Sequence, residues 1–322
     1  MKHFFANLVA MFFIFPELRR RVRAKITKIM NIKKINQEKN NYLYLKQRWL
    51  EHNNNVAPLP STTNEYDLVF CIGPTCHGTT ALKRFDLRRF SNPFDYTAGM
   101  YPDDYLCSPN ICRDSRFREK IQAISNNFKD WLNPKYFKYQ SRFINSKYDV
   151  HHHIVNTKIK IQYIHEFPVG EDILQHMPEF INKMHRRINN LYNAINKSNT
   201  ILIVWISQIW DQKTLLDQNV SIKDIKWAVK QMHLLYPNKK FDFAFFEHDG
   251  SKNRFEYEKI EIAQNAFRIK SNHFLTDYEY EFAHNKFLNW GPHVHVISEM
   301  LDNIHLSKNS FNLSNKIDED PF

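Results

Sequence analysis

Glycine is scarce in this chain, with six in 322 residues. Neither G-x-G-x-x-G nor G-x-x-x-x-G-K-[ST] occurs, so the common glycine-rich phosphate cradles are excluded. Cysteine is scarcer still, at four. That is too few for a disulfide scaffold. The spacings Cys71/Cys76 and Cys107/Cys112 are looser than those of a zinc ribbon. No metal site, no cofactor and reduced thiols are the expectation. There is no repeat at solenoid periods. The longest apolar run, "FFANLVAMFFIF", stops at Pro16 and is too short to span a bilayer. Positive charge follows the run instead of preceding it, and no small-residue cleavage site appears, so it reads poorly as a signal peptide.

Basic charge is abundant but uneven. The net charge is +11, yet residues 1–50 hold twelve Lys/Arg against Glu17 and Glu38. That is +10, and it leaves +1 for the other 272 residues. A near-neutral main domain argues against a broad nucleic-acid face. Residues 1–60 read as a basic, aromatic helical extension and linker, with Val22, Ile26, Ile29 and Met30 at helical spacing. Through residues 1–35 this segment suits an anionic membrane surface. It equally suits a helix docked on the domain or on another subunit. Residues 53–64, rich in Asn, Pro, Ser and Thr, read as linker.

From residue 65 to 305 apolar runs alternate with helical periodicity, and 306–322 read as a flexible tail. "DLVFCIG", "KIKIQYIHEF", "TILIVWIS" and "FDFAFFEHD" are strand candidates. Residues 78–90, Pro178–Lys197 and "IKDIKWAVKQMHLLY" read as helices, with another ahead of "FRIKSNHFL" and a last one over 293–305. The stretch to about 145 has no clear period. The pattern predicts an α/β domain: three layers, a mostly parallel sheet with helices on both faces. Ligands then bind at the carboxyl ends of the strands, at a topological switch point. Gly73, Gly78, Gly170 and Gly250 each follow a strand candidate.

Cys76 falls where the first strand gives way to a helix. Unpaired N–H groups and the positive dipole end favour a thiolate there. Cys71, inside the strand, reads as a small buried hydrophobe. A thiol nucleophile needs an imidazole, and an acceptor to orient that ring. His165 ends the strand "YIHEFP" and is expected at the same sheet edge as Cys76. "VHHHI" is histidine-dense, but consecutive residues alternate faces in a strand and cannot all hold one ion. Glu247 and His248 end another strand, as an acid/base cluster or a polar rim. Asp95 follows Pro93 in a stiff loop, where it either orients His165 or accepts backbone N–H bonds. Arg84 and Arg88 clamp an anion or lie solvated. Trp290, beside Gly291, stacks on a sugar or packs in the core.

The stretch "LVFCIGPTCHGTTALKRFDLRRFSNPFDY" resembles the opening motif of a bacterial papain-like cysteine peptidase family, a domain of unknown function. The matching pieces are Gly73, Cys76, Leu82, Arg84, Leu87, Arg88, Ser91, Pro93, Phe94 and Asp95, then His165, Glu166, Phe167 and Pro168. "HRRINNLYNAI" and "TILIVWIS" resemble the family's later helix and strand. Tyr96 stands where the family has tryptophan, and Glu166 where it has aspartate. The resemblance runs from about 66 to 300. It implies a cysteine-dependent hydrolase or acyl transferase with a Cys76–His165 pair and Asp95 or Glu166 beside it. Together with Gly73, Arg84 and Arg88 from this motif, Glu247, His248 and Trp290, read above from their own positions, are expected around a small-molecule, peptide or glycan substrate. The few cysteines, expected as reduced thiols, lead to the expectation of a cytoplasmic protein.

Two other functions compete. In one, the chain is a membrane-surface enzyme of cell-surface polysaccharide assembly, Cys76 is structural, and Arg84, Glu247 and His248 bind sugar or phosphate. In the other it is a non-catalytic binding module.

Overall fold

Three strands set the frame, and each is apolar almost without a break: β2 (Leu68–Cys71), β7 (Thr200–Ile206) and β8 (Lys240–His248). Strands covered on both faces need such runs. β2 pairs in parallel with β7, Phe70 opposite Ile203, and β7 in parallel with β8, Ile203 opposite Phe243. β10 (Ala266–Ser271) continues the sheet in parallel beside β8, and β9 (Tyr257–Ala263) closes it antiparallel, in the order β2-β7-β8-β10-β9. The α/β class with a mostly parallel sheet is therefore present. Its parallel strands follow chain order, so the described sheet contains no order reversal and no switch point.

The computed structural model describes residues 64–74, 76–95, 97–99, 116–140, 151–168, 172–207, 219–252, 257–271, 297, 300–301 and 303–310. All fall in one unit of chain, 55–275 with 290–322. The N-terminal extension, Cys107, Cys112, Gly170 and Trp290 lie outside the described residues.

A second sheet was not foreseen. Between β2 and β7 the chain builds β3 (Thr97–Gly99), β4 (Phe137–Gln140), β5 (His151–Asn156) and β6 (Ile161–Pro168), antiparallel in the order β3-β6-β5-β4. The strand of His165 belongs to this sheet and runs on to Pro168, so His165 lies within its strand and in a different sheet from β2, which leads to Cys76. A second correction concerns 257–271. The helix expected ahead of "FRIKSNHFL" is β9, turning into β10 through Gln264 and Asn265. Asn265 takes a left-handed φ of 68°, as tight hairpins require.

Among the described residues four full helices pack on this frame. α1 (Cys76–Arg84) follows β2, and α2 (Phe117–Ser125) sets Phe117 edge-on against Trp205 and Phe245, at 5.6 and 5.2 Å between ring centres. α3 (Ile173–Lys197) starts five residues before Pro178 because the Asp172 side chain caps it, accepting from the Leu174 N–H at 2.9 Å. Phe180 of α3 meets Tyr163 and Phe167 of β6 at 4.9 and 5.0 Å. α4 (Ile222–Leu235) begins at Ser221, whose hydroxyl accepts from the Asp224 N–H. One apolar cluster, from Leu68 and Phe70 through Trp205 and Phe245 to Ile161 and Phe167, joins both sheets.

A short strand pair clasps the amino end of the sheet. β1 (Glu65–Tyr66) lies parallel to β11 (His305–Leu306). Asp67 then ties three distant segments together. Its carboxylate accepts from the Asn199 and Thr200 N–H groups at 2.8 and 3.1 Å and from the Ser307 hydroxyl at 2.6 Å. Leu306 and Ser307, read from sequence as tail, are thus held to the domain.

Candidate functional site

The carboxyl end of β2 is fixed by a buried polar knot centred on Asp95. Asp95 Oδ1 accepts from the Thr79 hydroxyl at 2.7 Å and the Asn92 side-chain amide at 2.9 Å. Oδ2 accepts from Arg88 at 2.8 Å and from the Asn92 N–H at 2.9 Å. Arg88 also donates to Ser91 at 2.8 Å, and Asn92 reaches the Cys71 carbonyl at 3.4 Å. Thr79 lies on the first turns of α1, and Asn92 in the loop after it. One carboxylate therefore clamps strand end, helix start and loop. Four accepted bonds fill the two oxygens, which leaves no acceptor position for an imidazole. Arg88, read as an anion clamp, clamps this internal anion.

The turn between β2 and α1 is packed as tightly. The Gly73 N–H donates to Cys71 Sγ at 3.2 Å. A Cβ on Gly73 would lie 3.1 Å from that sulfur, and one on Gly78 only 2.2 Å from it. Both glycines are needed for close approach to the buried Cys71 thiol, not for left-handed backbone. Cys76 is the first residue of α1, which has no acidic residue in its first turn. The side chains of Cys76, Arg84 and His165 lie outside the described residues.

A lysine completes the edge. Lys120 of α2 is fully buried, and its ammonium donates to the Gly73 carbonyl. Burial pulls its pKa down to about 8, against the opposing pull of Cys71 and Asp95. Sequence reasoning missed it, although a signal existed. Phe117, Ile121 and Ile124 form an apolar stripe at helical spacing, and Lys120 sits inside that stripe.

Two further carboxylates are locked in ion pairs. Glu166 of β6 pairs with Lys183 at 2.7 Å and Arg187 at 3.0 Å, with the Arg187 side chain 0% exposed. Burial alone would raise the Glu166 pKa. The two cations reverse that and hold it below the ordinary value. Glu247, at the end of β8, forms an ion pair with Arg268, 2.8 Å from its Nε, and accepts from the Val220 N–H at 2.8 Å. Both oxyanions face protein cations, so each contributes to the frame around the site. Neighbouring His248 is half-buried, and desolvation lowers its pKa to about 4, so it is neutral at pH 7. The His248 backbone N–H donates to the Ser207 hydroxyl at 3.0 Å, which joins the ends of β7 and β8.

The structure thus gathers Gly73, Asp95, Arg88 and Lys120 with the start of α1 at one strand end. Glu247 and His248 stand two strands away, and Glu166 lies on the second sheet. Among the described residues no group of three or more His, Cys, Asp or Glu could hold a metal ion. No described helix is long and apolar enough to cross a membrane. No family model, curated protein or solved structure matches the chain.

Proposed function

We propose that the chain is a thiol-dependent enzyme, a hydrolase or acyl transferase of small-molecule, peptide or glycan substrates, with Cys76 as nucleophile and His165 as its proton partner. The place of Cys76 carries this reading. It opens α1 directly after the carboxyl end of β2, in a mostly parallel sheet. A helix start offers free N–H groups and positive potential, which lower a thiol pKa and hold a developing oxyanion. The Asp95 knot supports the reading from below, because it fixes that start against the strand end. The motif from Gly73 to Asp95, which resembles the cysteine peptidase family, points the same way.

In the proposed reaction the Cys76 thiolate attacks an acyl carbon and the carbonyl oxygen takes up negative charge. His165 accepts the thiol proton and returns it to the leaving group, and water or an acceptor then releases the acyl chain from sulfur. Within the same reading the domain is a three-layer sandwich with the site at its carboxyl edge. It works in the cytoplasm, held peripherally to an anionic membrane surface by residues 1–35.

The test is the pH profile of iodoacetamide alkylation at Cys76, read by peptide mass spectrometry in wild type and in His165→Ala. The reading expects a wild-type midpoint below the ~8.5 of a free thiol, and a higher one in the variant. A midpoint of ~8.5 in both proteins ends the proposal. Removal of residues 1–50 should release the protein from anionic vesicles, and no change in vesicle binding ends the membrane part.

A further inference from the structure

The two edges of the larger sheet differ. All four residues of β2 are buried, whereas none of the seven residues of β9 is. β9 pairs with β10, and among the described residues no strand lies on its other side. An open edge offers a row of backbone N–H and C=O groups to a further strand, and proteins commonly shorten, kink or charge such a strand to keep it single. β9 contains no proline and keeps two partly exposed isoleucines, Ile260 and Ile262. The irregularity in its pairing, between Ala266 and Phe267 of β10, falls at the Ala263 end and leaves Tyr257–Glu261 in regular register. Its charges, Glu258, Lys259 and Glu261, are of both signs.

A strand can meet a second copy of itself in few registers. In an antiparallel pair, opposed residues either both turn their backbone groups inward or both turn them outward. Two identical strands related by a twofold axis are therefore centred on one residue that faces its own copy. Centred on Glu258, Lys259 or Glu261, the pairing puts like charges opposite each other, which is unfavourable. Centred on Ile262, it overlaps over Glu261–Ala263 alone. Centred on Ile260, it sets isoleucine against isoleucine and Lys259 of each copy opposite Glu261 of the other, and the overlap spans the whole strand. Glu258, which this register places opposite Ile262, is already paired with Lys252 of its own chain at 3.2 Å.

We infer that β9 is a homodimer interface, in which two copies of the chain pair antiparallel through Tyr257–Ala263 with Ile260 on the twofold axis and Lys259 opposite Glu261 on both sides of it. The interface is isologous, and it joins the two five-stranded sheets into one continuous sheet. β2, which leads to Cys76, stands at the opposite edge. The inference therefore neither needs the thiol chemistry proposed above nor alters it.

Sedimentation of the full chain, at concentrations up to about 100 μM, is the experiment. Wild type should show a monomer–dimer equilibrium. Glu261→Lys sets lysine against Lys259 in both pairs, and Lys259→Glu sets glutamate against Glu261. Each change should weaken dimerisation by about tenfold or more. Mixed in equal amounts, the two variants present opposite charges to each other and should form a heterodimer about as tight as the wild-type dimer. Ile260→Cys gives an independent reading: mild oxidation should link two copies through position 260, detected by non-reducing electrophoresis and peptide mass spectrometry. A wild type that stays monomeric overturns the inference and leaves the edge to a different strand. A dimer held elsewhere, through residues 1–35 for instance, would ignore both charge reversals, and that result overturns it too, as does failure of the two variants to associate when mixed. Should the charge variants not fold, Ile260→Cys decides, and no link at position 260 ends the proposal.

Discussion

Gly78 packs directly on the thiol of Cys71: a Cβ built on the glycine would stand 2.2 Å from Sγ. The sulfur is buried and already accepts the Gly73 N–H, so it has little room to yield. Gly78→Ala should therefore overpack the junction of β2 and α1 and destabilise by about 1–3 kcal/mol, although alanine favours helix. Adding Cys71→Ala removes the obstacle. Urea unfolding of the two single variants and the double variant should give a coupling of at least about 1 kcal/mol. Strictly additive effects would show that the contact does not constrain the helix.

Asp95 offers a clean separation of two roles. Its removal leaves the buried Arg88 guanidinium without its anion and frees Thr79 and Asn92. Asp95→Ala should destabilise by about 3–5 kcal/mol, the scale for breaking a buried pair by deleting one partner. An aspartate that merely oriented a catalytic ring would leave the urea midpoint near the wild-type value.

Glu166 should behave in the same way on the second sheet. Glu166→Gln strands Arg187, whose side chain has no exposure, and should again cost about 3–5 kcal/mol. Lys183 is 22% exposed at the side chain. Lys183→Met should cost less, about 1 kcal/mol, since water replaces part of the interaction. Equal losses for Glu166→Gln and Lys183→Met would contradict this ranking.

Acid should weaken the fold through His248. Burial holds its folded pKa at about 4, whereas the unfolded chain takes up the proton near 6.5. The native state thus resists a proton that the unfolded state accepts. The His248 contribution is complete above about pH 6.5 and is lost as the pH falls toward 4. His248→Asn should flatten that part of the stability profile, measured by urea unfolding at several pH values. An unchanged slope would mean that His248 titrates normally.

The continuous apolar runs made β2, β7 and β8 readable, since a strand covered on both faces leaves its mark in every residue. The start of the helix opened by Cys76 was readable for a similar reason, as Gly73 closes the strand and Ala81 and Leu82 begin a new period, but the helix ends at Arg84 and does not run on to 90. The second sheet was not. "IQYIHEFP" looks the same whichever sheet takes it, and strand partners are chosen by contacts far away in the chain. Lys120 was hidden by residue type, because a charged side chain interrupts the stripe in which it is buried. The partners of Glu166 were hidden by distance, for Lys183 and Arg187 lie on a different element. The 257–271 hairpin was misread because its turn rests on one residue, Asn265, without a glycine.

The Asp67 clasp also bears on how the molecule assembles. It joins positions 133 residues apart at Thr200 and 240 apart at Ser307. Closing loops of that length is entropically unfavourable until much else is in place, and contacts so remote in sequence slow folding. Docking of β2 should accordingly be a late event. The turn with Gly73 and the entrance to α1 would be among the last parts to form, and a nascent chain should complete this strand end only after Ser307 has been synthesised.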